Sequence, residues 1–138
     1  MKTILAFVFA GLTLCATTVA EPSIPFLQKP LVAREWRGRV KKEKAEEYAR
    51  YLLAEGVDKI AAINGNQGVQ MLRVDEGDAV EFVVISYWPS IDSIKAYAGE
   101  SYEKPHHLPK DREYLIELSQ RVRHYQVLAS WNPGPAAK

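Results

Sequence analysis

Two segments of the chain alternate apolar and polar side chains with a period of two, and two others repeat apolar side chains every three or four positions. In Leu31–Val40, Val32, Trp36 and Val40 stand at even spacing opposite Glu35, Arg37 and Arg39, the pattern of a half-buried strand. The next segment, KKEKAEEYARYLLAEG, places Ala45, Tyr48, Ala49 and Leu52 on one helical face, with Gly56 as the expected stop. Residues 57–68 read as a loop with one helical turn. A second strand is predicted over Val69–Val74, and Asp75-Glu76-Gly77-Asp78 reads as a hairpin turn. Ala79–Trp88 (AVEFVVISYW) is rich in β-branched and aromatic residues and is the strongest strand signal. Pro89 breaks it, Ser90 caps a helix over Ile91–Ala98, and Gly99 ends that helix. An irregular stretch holds His106-His107-Leu108 between Pro105 and Pro109. A short helix over Arg112–Leu118 and a last strand over Val122–Ala129 follow.

The order β-α-β-β-α-β is that of the ferredoxin-like α+β fold, a four-stranded antiparallel sheet with both helices on one face. In the third strand Val80, Phe82 and Val84 point one way and Val83, Ile85 and Tyr87 the other, so both sheet faces are apolar. A sheet apolar on both sides is covered on both sides, and this chain has too few helices for a second layer. The expectation is a homodimer packed sheet to sheet.

Composition adds three limits. Lys2, the apolar run Ile4–Leu14 and the small-residue end Thr18-Val19-Ala20 have the order of a cleaved secretory signal, and the run is too short to span a membrane. Residues 1–20 are therefore expected to be a leader cut near Ala20, giving a periplasmic or secreted protein. Residues 21–30 then form a Pro-rich extended spacer, 31–129 the folded domain and 130–138 a tail. A lipid anchor on Cys15 is the alternative, but Leu14 stands where such signals want a small residue. Cys15 is the only cysteine, so the domain has no disulfide and no thiolate site. The chain has 18 Lys+Arg against 17 Asp+Glu, and loss of Lys2 balances them. That balance gives no electrostatic footprint for nucleic acid.

REWRGRVKKEKAEEYARYLLAEGV, EFVVISYWPSIDSIKAYAGE and the closing RVRHYQVL together resemble the antibiotic biosynthesis monooxygenase (ABM) domain family over about Ala33–Leu128. The resemblance implies a dimeric α/β barrel made of two ferredoxin-like halves. Members of the family include cofactor-free oxygenases of aromatic molecules and haem-binding or haem-degrading enzymes, so the fold alone does not name the chemistry. In haem degraders a histidine in the region of His106 is the iron ligand. The asparagine and tryptophan those enzymes also use fall at Trp36 (or Arg37) and Tyr97 here, which counts against degradation and leaves haem binding as an alternative.

The residues themselves point to an aromatic pocket. Trp36, Tyr87, Trp88, Tyr97 and Tyr102 could stack on a small aromatic or planar ligand. Arg37 or His106 could serve as base or hydrogen-bond donor to a phenolate, with Asn66 near the ligand. On this reading the reaction is cofactor-free monooxygenation, and a non-catalytic ligand-sensing or structural dimer is the further alternative. The plainer reading is that the strand aromatics are core and interface and that His106-His107 is a solvated loop. No metal site is expected: the histidines lack H-E-x-x-H spacing, and Asn64-Gly65-Asn66-Gln67-Gly68 lacks a phosphate-loop lysine.

Overall fold

The computed structural model describes residues 30–130. The leader expected at 1–20, residues 21–29 of the spacer and 131–138 of the tail lie outside the described residues.

Four strands, β1 (Leu31–Lys41), β2 (Gly68–Glu76), β3 (Ala79–Trp88) and β4 (Arg123–Val127), form one sheet in the order β2-β3-β1-β4. Every neighbouring pair is antiparallel, with Trp36 opposite Val84 and Arg34 opposite both Ser86 and His124. This is the ferredoxin-like topology. Its helices are α1 (Ala45–Leu52), α2 (Asp58–Ala61), α3 (Ile91–Ala98) and the single turn α4 (Asp111–Tyr114).

The alternation in β1 and β3 sets the two faces. Val40, Val80, Phe82 and Val84 join Ala45, Tyr48, Leu52 and Leu115 in one core beneath α1. Trp88 packs with Ile94, Ala98 and the half-buried Val32 in a second core beneath α3. The opposite face carries Leu72, Val74, Val83, Ile85, Tyr87 and Tyr125 beside Glu35, Arg37 and Glu81, and no helix among the described residues covers it. Leu72 at 47%, Val74 at 46% and Tyr125 at 43% exposed are three of the largest apolar exposures among the described residues.

Local signals were followed closely around α3. Ser90 accepts a hydrogen bond from the Ser93 amide at 3.1 Å, and Gly99 leaves the helix at φ 80°, a conformation that favours glycine. Several expected boundaries moved, and β4 keeps only Arg123–Val127 of the expected Val122–Ala129. Gly56 does not stop the first helix: a wider π-type turn over Leu53–Val57 carries the chain on into α2. A Cβ at Gly56 would lie a tight 3.2 Å from the Leu52 side chain and in ordinary contact, at 3.5 Å, with Leu108. The turn α4 ends at Tyr114 rather than Leu118, since Leu115 becomes extended and bridges to Val40 while the Ile116 amide donates to the Arg39 carbonyl at 2.8 Å. Strand β2 runs on to Glu76, and the hairpin tightens onto Gly77 at φ 65°.

Candidate functional site

The two cores do not meet. Between them, under the helices and over the centre of the sheet, lies a cavity of about 270 Å³. Arg34, Trp36, Val84 and Ser86 form its floor, Leu52, Ile60 and Ile63 one wall, and Tyr97 with His106–Leu108 the other.

Each side chain arrives for a local reason. Trp36 lies on the helix-facing side of β1, and its ring occupies the space above Gly38: a Cβ at Gly38 would be 2.3 Å from Trp36 Cη2 and 2.8 Å from Leu115 Cδ2. The indole Nε1 is buried without a hydrogen-bond partner. Tyr97 stacks on Trp88 with centroids 5.3 Å apart and planes 10° apart. Burial raises the Tyr97 phenol pKa, against the pull of Arg34, so Tyr97 stays protonated. His106 tilts against Tyr97 at 5.5 Å, and its Nε2 lies 3.2 Å from the Ala98 carbonyl oxygen. A carbonyl only accepts, so Nε2 carries the proton and Nδ1 is the acceptor of the neutral ring.

The loop bearing His106 and His107 is braced from below. Asp111 is 1% exposed and accepts from the Tyr48 hydroxyl at 3.0 Å and the Leu108 amide at 2.8 Å. His107 Nδ1 stands 3.7 Å from the same carboxylate. Burial, then the neighbouring Asp111 charge, raises the Tyr48 pKa.

Of the residues singled out from sequence, Trp36, Tyr97 and His106 are brought together in this cavity. Trp88 is wholly buried behind Tyr97, its Nε1 donating to Ser86 Oγ at 2.8 Å. The other four lie elsewhere. Arg37 points to the opposite sheet face, where Nε donates to Glu35 at 2.7 Å and Nη1 to Glu81 at 2.9 Å. Glu35 and Glu81 raise its pKa further and hold it. Tyr87 is on that same face, donating to Gln70 at 2.8 Å. The period of two sends 35, 37, 83, 85 and 87 away from the helices, so Arg37 and Tyr87 cannot line a pocket beside Trp36. Asn66 shapes the turn before β2, accepting from the Gly68 amide at 2.9 Å. Tyr102 packs on the His124 ring at 5.1 Å, outside the cavity.

The residue that the sequence reading passed over is Arg34. It stands in even register with Val32, Trp36 and Val40, so the alternation that placed those inward places Arg34 inward too. It is 6% exposed. The Asp111–Tyr48 brace carried no such signal, because its partners are 63 positions apart.

A ferredoxin-like sheet with a cavity between sheet and helices defines an α+β domain of the ferredoxin-like class. The family model for antibiotic biosynthesis monooxygenase matches residues 32–107, more than half of the 138, and the chain belongs to that family. Among solved structures it is similar to a protein from Nitrosomonas europaea assigned to the antibiotic biosynthesis monooxygenases. That likeness has 14% identity and a TM-score of 0.51, covering 72% of this chain and 90% of that one. It is similar also to the haem-degrader MhuD of Mycobacterium tuberculosis, solved with two haems in its active site, at 16% identity and a TM-score of 0.51, over 74% of this chain and 99% of that one. At these identities the likeness concerns the fold. No curated protein matches the chain.

Proposed function

We propose that this protein binds a small planar aromatic molecule, one or two fused rings in size, in the cavity beside Trp36 and Tyr97, and oxidises its phenolic form with molecular oxygen and no bound cofactor. The observation that carries the reading is the cavity. At about 270 Å³ it stands near the lower end of small-molecule pockets, which run about 300–1,000 Å³, and two of its linings are aromatic rings suited to stacking. His106 is the general base: with Nε2–H held by the Ala98 carbonyl, it offers Nδ1 to the phenolic proton. The electron-rich phenolate carbon then adds oxygen, the peroxide takes back the proton from His106, and loss of water leaves the quinone, so that the substrate supplies all four electrons and one oxygen atom leaves as water. Arg37 has no part in this step.

The haem reading fits less well. The Tyr97 ring leans on the imidazole, and a space of about 270 Å³ suits a ring or two rather than a tetrapyrrole. The cavity as lined does not fit haem.

The working form in this proposal is a homodimer, exported after removal of residues 1–20. The uncovered sheet face supports the dimer: Ala33, Ile85, Tyr87, Tyr125 and Val127 line a shallow hollow of about 710 Å³, an apolar surface of the kind partners cover.

The test is oxygen uptake with naphthols. Uptake by the wild type, with His106→Ala losing it while still binding naphthol, supports the oxygenase. Saturable binding without uptake leaves a ligand-sensing dimer, and absence of binding refutes the cavity as a site.

A further inference from the structure

The strongest donor on the cavity lining is a buried cation without a carboxylate partner among the described residues. The Arg34 guanidinium donates through Nη1 to the Tyr102 carbonyl and through Nη2 to the Lys104 carbonyl at 3.0 Å, and Nη1 also lies 3.0 Å from His124 Nε2. These three partners answer three of its five N–H groups, and none carries a full negative charge. Among the described residues no carboxylate forms an ion pair with it. Burial lowers the Arg34 pKa, yet a guanidinium stays charged in proteins. A charge withdrawn from water and left without a counterion is costly.

Its neighbours add donors. Trp36 Nε1–H is buried and unpartnered. Ser86 Oγ already accepts from Trp88, which leaves the hydroxyl proton to give. The only carboxylate on the described lining is Glu55, at the mouth, and Lys59 pairs with it. A neutral aromatic ligand would leave this donor set unanswered, whereas a carboxylate has two oxygens to receive it.

Resting on the cavity as a binding site, we propose that its ligand is an aromatic acid: a planar ring system carrying a carboxylate that supplies the missing counterion to Arg34, with the Trp36 indole N–H as a second donor. The ring lies on Tyr97 and against Leu52 and Ile60. Arg34 is thus the residue that sets charge specificity, and the Tyr102 and Lys104 carbonyls hold it in place. The reading separates Arg34, buried, from Lys59, whose side chain is 66% exposed and would attract anions only through screened surface charge.

The test compares two probes of one shape, 2-naphthoate and 2-naphthamide, by calorimetric titration at about 20 and 200 mM salt. The expected result is naphthoate binding at least about tenfold tighter than the amide, as a charge-assisted pair in a buried site gives, with the ratio kept at high salt. Arg34→Gln, which removes the charge, should bring the ratio to within about twofold. Lys59→Gln should leave the ratio as it was. Equal affinity of the two probes in the wild type overturns the acid proposal while the cavity stands, and this comparison needs no variant to fold. A ratio abolished by salt or by Lys59→Gln overturns it in favour of surface attraction. Failure of both probes and of naphthol to bind overturns the cavity reading itself.

Discussion

Gly38 shows how one side chain's absence positions the site. A methyl there would overlap the Trp36 ring and Leu115, so Gly38→Ala is expected to destabilise the domain by about 1–3 kcal/mol, as overpacked cores do, and to weaken naphthol binding by displacing Trp36. Urea unfolding and a titration check both, and an unchanged midpoint would show that the ring yields without cost. His124 adds a pH dependence. Burial, then Arg34, lowers its pKa, with Glu103 opposing, and the imidazole accepts rather than donates beside the guanidinium. The folded state binds that proton less tightly than the unfolded chain, so this contribution is complete above about pH 6.5 and is lost as pH falls through the lowered value. Urea midpoints between pH 7.5 and 5.5 should decline, and His124→Gln should flatten the decline; an equal slope in the variant would assign it to other groups. Trp36, Tyr97 and His106, which line one cavity, were legible in the sequence as candidates because aromatic rings and a proline-bracketed histidine pair stand out. Arg34 was not, because an arginine in a strand reads as solvated until its register is followed.

At the scale of elements, period and caps carried most of the fold. Both long strands and α3 sit where alternation, Ser90 and Gly99 put them. Ser90→Ala should cost about 1 kcal/mol, the usual loss of an N-cap, read from the unfolding midpoint; no change would mean that the Ser93 amide finds another acceptor. Where local signals failed, tertiary contact had overridden them. Gly56 reads as a helix stop, yet the helix continues through it, packed beside Leu108. The turn after Asp111 ends early because Leu115 pairs with β1. Neither contact is visible locally. The loop carrying His106 depends on one such contact, and Asp111→Asn, which leaves Tyr48 or the Leu108 amide without its acceptor, is expected to cost about 1–3 kcal/mol. It should also loosen residues 105–110 in hydrogen exchange, and protection there equal to the wild type would remove the brace from the account.

For the whole molecule, the decisive feature is a sheet with one face under helices and the other, among the described residues, without a helix over its exposed apolar side chains. That two-faced pattern was already present in Ala79–Trp88, and the exposed Leu72, Val74 and Tyr125 extend it to the outer strands. Sedimentation is expected to show a dimer at micromolar concentration, and Ile85→Glu, which sets a charge in the middle of the bare face, should give a monomer that still binds in the cavity on the other side. A wild type that sediments as a monomer would leave that face without its proposed cover. Independent of assembly, the central claim is that the space between the two cores holds the ligand. The direct measurement is calorimetric titration of 2-naphthol into the wild type and into Ile63→Trp, which fills the cavity from its wall. One site per chain in the wild type and none in the filled variant is the expected result, and equal binding by both proteins would contradict it.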